Sequence, residues 1–191
     1  GAGDVNGDGY DDFLISALQH DGAAEDDGRS YLYFGGRQPN VHSDLEIDGE
    51  AAGDELGRAV PAGDIDADGY ADIVLGSMLN DAGGVNAGRV YLLLGGHQPD
   101  AIPDLVFTGA VPGGWLGRGV AAGDMNGDGY GDLALSAFPD PTAGPQAGRV
   151  SVVLLFPEEI GEHRCQARGQ QDRCHRHPFA LHDLSPFLTF P

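Results

Sequence analysis

Residues 123–132 read Gly123-Asp124-Met125-Asn126-Gly127-Asp128-Gly129-Tyr130-Gly131-Asp132. Sixty residues earlier the chain reads Gly63-Asp64-Ile65-Asp66-Ala67-Asp68-Gly69-Tyr70-Ala71-Asp72, and sixty before that Gly3-Asp4-Val5-Asn6-Gly7-Asp8-Gly9-Tyr10-Asp11-Asp12. Self-similarity at a fixed period is the mark of a repeat architecture. The phase holds beyond the acidic stretch: Gly28-Arg29, Gly88-Arg89 and Gly148-Arg149 align, as do Leu56-Gly57-Arg58 with Leu116-Gly117-Arg118 and Gly35-Gly36 with Gly95-Gly96. A gapless register of that length is not a coincidence of composition.

One period holds four short strand candidates, read here from the middle repeat. The first, 56–62, is built of small residues; the second, 71–77, and third, 89–94, are near-continuous apolar runs, the pattern of strands covered on both faces. The fourth, 104–108, is shorter, and its counterpart Asp44-Leu45-Glu46-Ile47-Asp48 alternates strictly, as an outer strand with one wet face should. A small-residue inner strand, two doubly buried strands and a polar outer strand describe one blade of a β-propeller. The fold expected is therefore all-β, and the regular period argues against a β-sandwich.

Composition agrees. The chain has 191 residues, 41% of them apolar, with 32 glycines and 12 prolines, which suits short strands and tight turns. Ten basic residues, none of them lysine, face 30 acidic ones for a formal net charge of -20. Nucleic acid and anionic membrane surfaces would be repelled, whereas divalent cations would be drawn in. No run approaches the roughly 20 apolar residues of a spanning helix. Gly1 opens the chain without a methionine or a signal-peptide pattern, so the expectation is a fragment of a larger protein.

Each repeated turn reads Asp-x-(Asp/Asn)-x-Asp-Gly-Tyr-x-Asp, with side-chain oxygens at positions 1, 3, 5 and 9 around a glycine at position 6. Calcium takes 6 to 8 oxygen ligands, and alternate loop residues can converge on one ion while the glycine permits the sharp turn and position 7 offers its carbonyl. The candidate ligands are Asp4, Asn6, Asp8, Tyr10 and Asp12; Asp64, Asp66, Asp68, Tyr70 and Asp72; and Asp124, Asn126, Asp128, Tyr130 and Asp132, with each tyrosine acting through its backbone. Up to three Ca2+ ions are expected, and magnesium fits less well because it demands stricter octahedral geometry. At a dissociation constant near ~0.1 mM, millimolar calcium would add roughly 1.5 kcal/mol per site, while cytosolic calcium would leave the sites empty. The expected setting is accordingly extracellular, cell-surface or periplasmic. An EF-hand would need a Glu at position 12 and flanking helices, but Ile15, Leu75 and Leu135 stand there inside strand-like runs. Dockerin modules share the opening of the loop but continue into a helix.

The segments Leu116-Gly117-Arg118-Gly119-Val120-Ala121-Ala122-Gly123-Asp124 and Tyr130-Gly131-Asp132-Leu133-Ala134-Leu135-Ser136-Ala137 resemble the core of the FG-GAP repeat of integrin α-subunits. Leu56 and Leu116 stand where that repeat has Phe, and Gly76-Ser77-Met78 and Ser136-Ala137-Phe138 replace Gly-Ala-Pro; these are packing positions. The resemblance implies a partial propeller of about 2.75 blades out of seven, with calcium in the hairpin between the first two strands of each blade. It divides the chain into repeats at 1–52 (partial), 53–112 and 113–156 (partial), followed by a divergent tail at 157–191. The open edges would be covered by the remaining blades or a partner chain. It further implies a module for extracellular adhesion or for recognition of a protein or glycan ligand, rather than an enzyme. The alternative is an accessory propeller of a secreted enzyme acting on polysaccharide or lipid. No G-x-S-x-G elbow, P-loop or H-E-x-x-H motif is present.

The tail holds both cysteines, four of the seven histidines and four of the ten arginines. Phase asks for a fourth strand near Arg164, where the sequence instead reads His163-Arg164-Cys165 and, further on, Cys174-His175-Arg176-His177. A Cys165–Cys174 disulfide, a zinc site without paired ligand spacing, and a tail that is not native coding sequence all remain open. The phased Arg29, Arg89 and Arg149 are expected to pair with acidic groups or carbonyls, and Trp115 to pack at the rim.

Overall fold

A computed structural model describes residues 1–138 and 147–156 together with the two short segments 179–180 and 188–190. Among these residues every regular element is a strand. The middle repeat folds as β4 (Arg58–Gly63), β5 (Asp72–Ser77), β6 (Arg89–Leu93) and β7 (Leu105–Thr108), an antiparallel meander in sequence order. The repeat before it supplies β1 (Phe13–Ala17), β2 (Arg29–Tyr33) and β3 (Leu45–Asp48), and the repeat after it β8 (Gly119–Gly123), β9 (Asp132–Ala137) and β10 (Arg149–Val153). Pairing keeps the repeat phase, with Phe13 opposite Tyr33, Ile73 opposite Leu93 and Leu133 opposite Val153. Among the described residues the fold is all-β, built of antiparallel meanders of three or four strands stacked as propeller blades, as the sequence implies.

Among the described residues the first sheet has three strands, and a bridge between Gly3 and Asp12 stands at the inner place. In the third sheet the outer place beside β10 goes to β12 (Leu188–Phe190), antiparallel, far downstream of the in-phase position near Arg164. A further short strand, β11 (Phe179–Ala180), runs parallel to β7 and extends the middle sheet. Cys165 and Cys174 lie outside the described residues.

The period-2 alternation of each strand divides its side chains between two neighbours. On β5, Ile73 and Leu75 face the first blade, where they meet Val5, Leu32, Ile47 and Leu56; Val74 faces the third, among Ile65, Leu133, Leu135 and Val153. Tyr91 and Leu93 on β6 follow the first set, Val90 and Leu92 the second. This is why the middle strands read as continuous apolar runs: all six residues of β5 are buried. The inner strands β4 and β8 pack beside each other, as Gly- and Ala-rich segments near a crowded axis can.

Backbone hydrogen bonds close the joints on the face away from the acidic turns, again in phase. Leu56 donates to Asp27 as Leu116 does to Ala87, and Gly49 to Gly28 as Gly109 to Gly88, all at 2.8 to 3.0 Å. The price is local strain repeated at the same period: Asp26 and Asn86 hold φ 52° and 53°, Glu55 and Trp115 φ 49° and 50°. Two of the phased arginines, Arg29 and Arg89, pair as expected. Arg29 lies against Asp48 and Glu46, and Arg89 reaches Glu50 at 2.6 Å and Thr108 at 3.0 Å. Trp115 is half-buried, with the Arg118 guanidinium 5.4 Å from its ring centre.

Two stability predictions follow from equivalent positions in different surroundings. Leu75, fully buried between two blades, should cost about 2–5 kcal/mol when replaced by Ala. Ile15, at the same repeat position but 55% exposed, should cost less than about 1 kcal/mol. Urea unfolding of the 191-residue chain reads both, and equal losses would mean that the face around Ile15 is covered. Within the middle acidic turn, Ala67 holds φ 58°, where the other repeats place Gly7 at 75° and Gly127 at 79°. Ala67→Gly should relieve this left-handed conformation and stabilise the chain by up to about 1 kcal/mol, measured by the same unfolding.

Candidate metal centre

Each acidic turn joins the inner strand position of a blade to its second strand, so the three turns lie at one end of the sheets. The residue at position 6 must pass through the left-handed region, and Gly9, Gly69 and Gly129 do so at φ 88°, 95° and 92°. Around that bend the first carboxylate collects backbone donors. Asp4 accepts from the N–H groups of Gly7, Asp8 and Gly9 at 2.7 to 3.0 Å, and Asp124 from Gly127, Asp128 and Gly129 at 2.7 to 3.2 Å. Asp64 does the same with Asp68 and Gly69. The position-5 carboxylates of Asp8, Asp68 and Asp128 each accept from the tyrosine N–H two residues on, at 2.9 Å. This pins the tyrosine backbone to the turn.

Position 9 is different in kind. Asp12, Asp72 and Asp132 are buried, at 1%, 0% and 0% exposure. One oxygen of each takes the N–H of the residue at position 2 (Val5, Ile65, Met125) at 2.6 to 2.8 Å. The other takes an N–H just past the third strand (Gly35, Gly95, Leu155) at 2.7 to 3.1 Å. Burial pushes the Asp72 carboxyl up to about 7, against the lowering effect of its two backbone donors, and the nearby charges of Asp66 and Asp68 raise it further. Asp12 is raised for the same first reason.

The structure gathers the carboxylate oxygens of Asp64, Asp66 and Asp72 within 4.8 Å of one another. Oxygens on opposite sides of a cation bound at about 2.4 Å stand at roughly that spacing, so the donor set fits a hard divalent ion. Such an ion would neutralise charges that the protein otherwise crowds together. Asp68 and Tyr70 border the same turn and also line a groove of about 300 Å³ with Gly95, Gly96, His97 and Asp104. The first and third turns are held differently. There the Asn6 and Asn126 amides donate to Asp8 and Asp128 at 3.4 and 2.9 Å, and among the described residues no trio of carboxylates as tight as the middle one occurs.

Sequence reasoning named every acidic residue of these turns but not the long-range N–H donors that fix position 9. The phased Gly35-Gly36 and Gly95-Gly96 carried that signal: a Cβ on Gly95 would lie 2.3 Å from the Ala71 carbonyl, so only glycine lets the backbone come in to reach Asp72.

Comparison with known proteins agrees with the geometry. The FG-GAP repeat profile matches residues 1–33, 56–93 and 116–153, more than half of the chain. Integrin alpha-5 of Xenopus laevis is 32% identical over 162 residues, which cover 78% of this chain and 15% of that protein. Integrin alpha-PS2 of Drosophila melanogaster is 30% identical over 174 residues, 82% of this chain and 12% of that protein. Phosphatidylinositol-glycan-specific phospholipase D of Rattus norvegicus is 28% identical over 189 residues, 88% of this chain and 22% of that enzyme. The chain thus spans less than a quarter of the length of these relatives. Matched by the family profile at all three of its phased blades, the chain belongs to the FG-GAP repeat family, as a β-propeller module of the integrin-α type.

Proposed function

We propose that this module binds calcium in its three acidic turns and serves extracellular adhesion or recognition of a protein or glycan, with the ions acting as scaffold. The ligand sets are those of the repeat: Asp4, Asn6, Asp8, Asp12 and the Tyr10 carbonyl; Asp64, Asp66, Asp68, Asp72 and the Tyr70 carbonyl; Asp124, Asn126, Asp128, Asp132 and the Tyr130 carbonyl. The observation that carries the reading is the convergence of Asp64, Asp66 and Asp72 on one point, in a turn whose position-9 carboxylate is buried. A bound ion would supply charge neutralisation and cross-link the two ends of the turn, and no chemistry is asked of it. The chain's own part is to hold the oxygens in place through the backbone donors described above.

Calcium outside cells is millimolar and inside is far lower, so sites of this class fill only outside. The resemblance to integrin α-subunits supports the same setting, a secreted or cell-surface protein whose further blades or partner chain cover the terminal sheets. On this reading the chain is a binding module and not an enzyme. A second reading rests on the phospholipase D relative, which aligns along 88% of the chain: the same propeller would then be an accessory domain of a secreted lipid-acting enzyme. Calcium in the turns is common to both.

Calcium at millimolar concentration should stabilise the 191-residue chain by about 1.5 kcal/mol per filled site and so raise its melting temperature more than magnesium does. Asp68→Ala combined with Asp128→Ala should remove most of that rise. Identical melting in calcium and in chelator would overturn the proposal.

A further inference from the structure

We propose that Tyr70 couples the first and second calcium sites, so that filling one tightens the other. This rests on the calcium reading above. Tyr70 belongs to both turns. Its N–H is held by Asp68 of the second turn at 2.9 Å, and its ring lies on Gly7 of the first: a Cβ placed on Gly7 would be 2.3 Å from Cε1 and 3.0 Å from Cδ1 of that ring. Gly7 in turn donates to Asp4, the first ligand of the first site, at 2.7 Å.

The backbone makes the same connection twice more. Ala71, next to Tyr70, donates its N–H to the Asp4 carbonyl at 2.9 Å. A second line starts at Asp72, which accepts from Gly95 at 2.7 Å. The adjacent Gly96 donates to the Val5 carbonyl at 2.9 Å, and the Val5 N–H is bound by Asp12 at 2.8 Å. The buried position-9 carboxylates of the two sites are therefore joined by consecutive peptide groups. Ordering either turn around an ion fixes Tyr70 and this relay, so the second ion to arrive meets a turn already ordered and loses less entropy on binding.

The next joint differs: a Cβ on Gly7 would clash with the Tyr70 ring, and Ala67 stands in place of Gly7 there. There the bond between turns runs from Gly131 to Ile65 at 2.8 Å, one residue out of register with the Ala71 to Asp4 bond. Only the first joint can therefore place a tyrosine ring on a glycine, while Gly131 and Ile65, whose N–H Asp72 holds at 2.6 Å, still link the second and third turns.

Calorimetric titration with calcium chloride of the 191-residue chain carrying Asp128→Ala, which leaves the first two sites, tests this. Two ions should bind with positive cooperativity, the second about fivefold or more tighter than the first. Tyr70→Phe should keep the cooperativity, because the ring and not the hydroxyl makes the contact. Tyr70→Ala, and Gly7→Ala as a mimic of the second turn, should each weaken it, leaving only what the backbone relay carries, while two ions still bind. Independent binding in the Tyr70 protein, or cooperativity undiminished in both Tyr70→Ala and Gly7→Ala, would overturn the coupling through Tyr70 and leave the calcium function standing. Absence of any calcium heat would overturn both.

Discussion

Each blade is organised around one buried carboxylate. Asp12, Asp72 and Asp132 begin or immediately precede the second strand, and each binds one N–H from its own turn and one from the far end of the third strand. A buried carboxylate is costly unless its oxygens are satisfied, and here both are. The result is a fixed corner where inner strand, acidic turn and third strand meet. The other acidic side chains of the turn are then held over that corner, and in the middle blade this brings Asp66 and Asp64 to Asp72.

The second organising fact is that no blade completes its core alone. Leu75 and Ile73 are buried by the first blade, and Val74 and Leu92 by the third. The terminal sheets show what happens without a neighbour. Phe13 and Ile15 on β1, in phase with Ile73 and Leu75, are 41% and 55% exposed, and Val150 on β10, in phase with the buried Val90, is 43% exposed. Burial here is a property of the stack and not of the residue type, as in other repeat architectures.

Much of this was legible in the residues. The middle repeat shows strands at 58–63, 72–77, 89–93 and 105–108, where its pattern asks for 56–62, 71–77, 89–94 and 104–108. Alternation of side chains and the position of glycines decide those boundaries locally. The outer partner of β10 was not legible, because an edge strand needs only free backbone donors and acceptors, and residues 188–190 meet that need from well outside the phase. The difference between the acidic turns was hidden too: Asn for Asp at position 3 and Ala for Gly at position 4 look like minor variation in a string.

The sequence by itself determined the period, the strands, the acidic turns and membership of the family, since all of these rest on local residue chemistry repeated at a fixed interval. Only the tertiary structure decided which turns touch and which faces are wet. Those depend on contacts between residues roughly sixty to ninety positions apart, such as the Tyr70 ring on Gly7 and the Gly96 N–H on Val5. A ring and a glycine that far apart interact only once the blades are stacked.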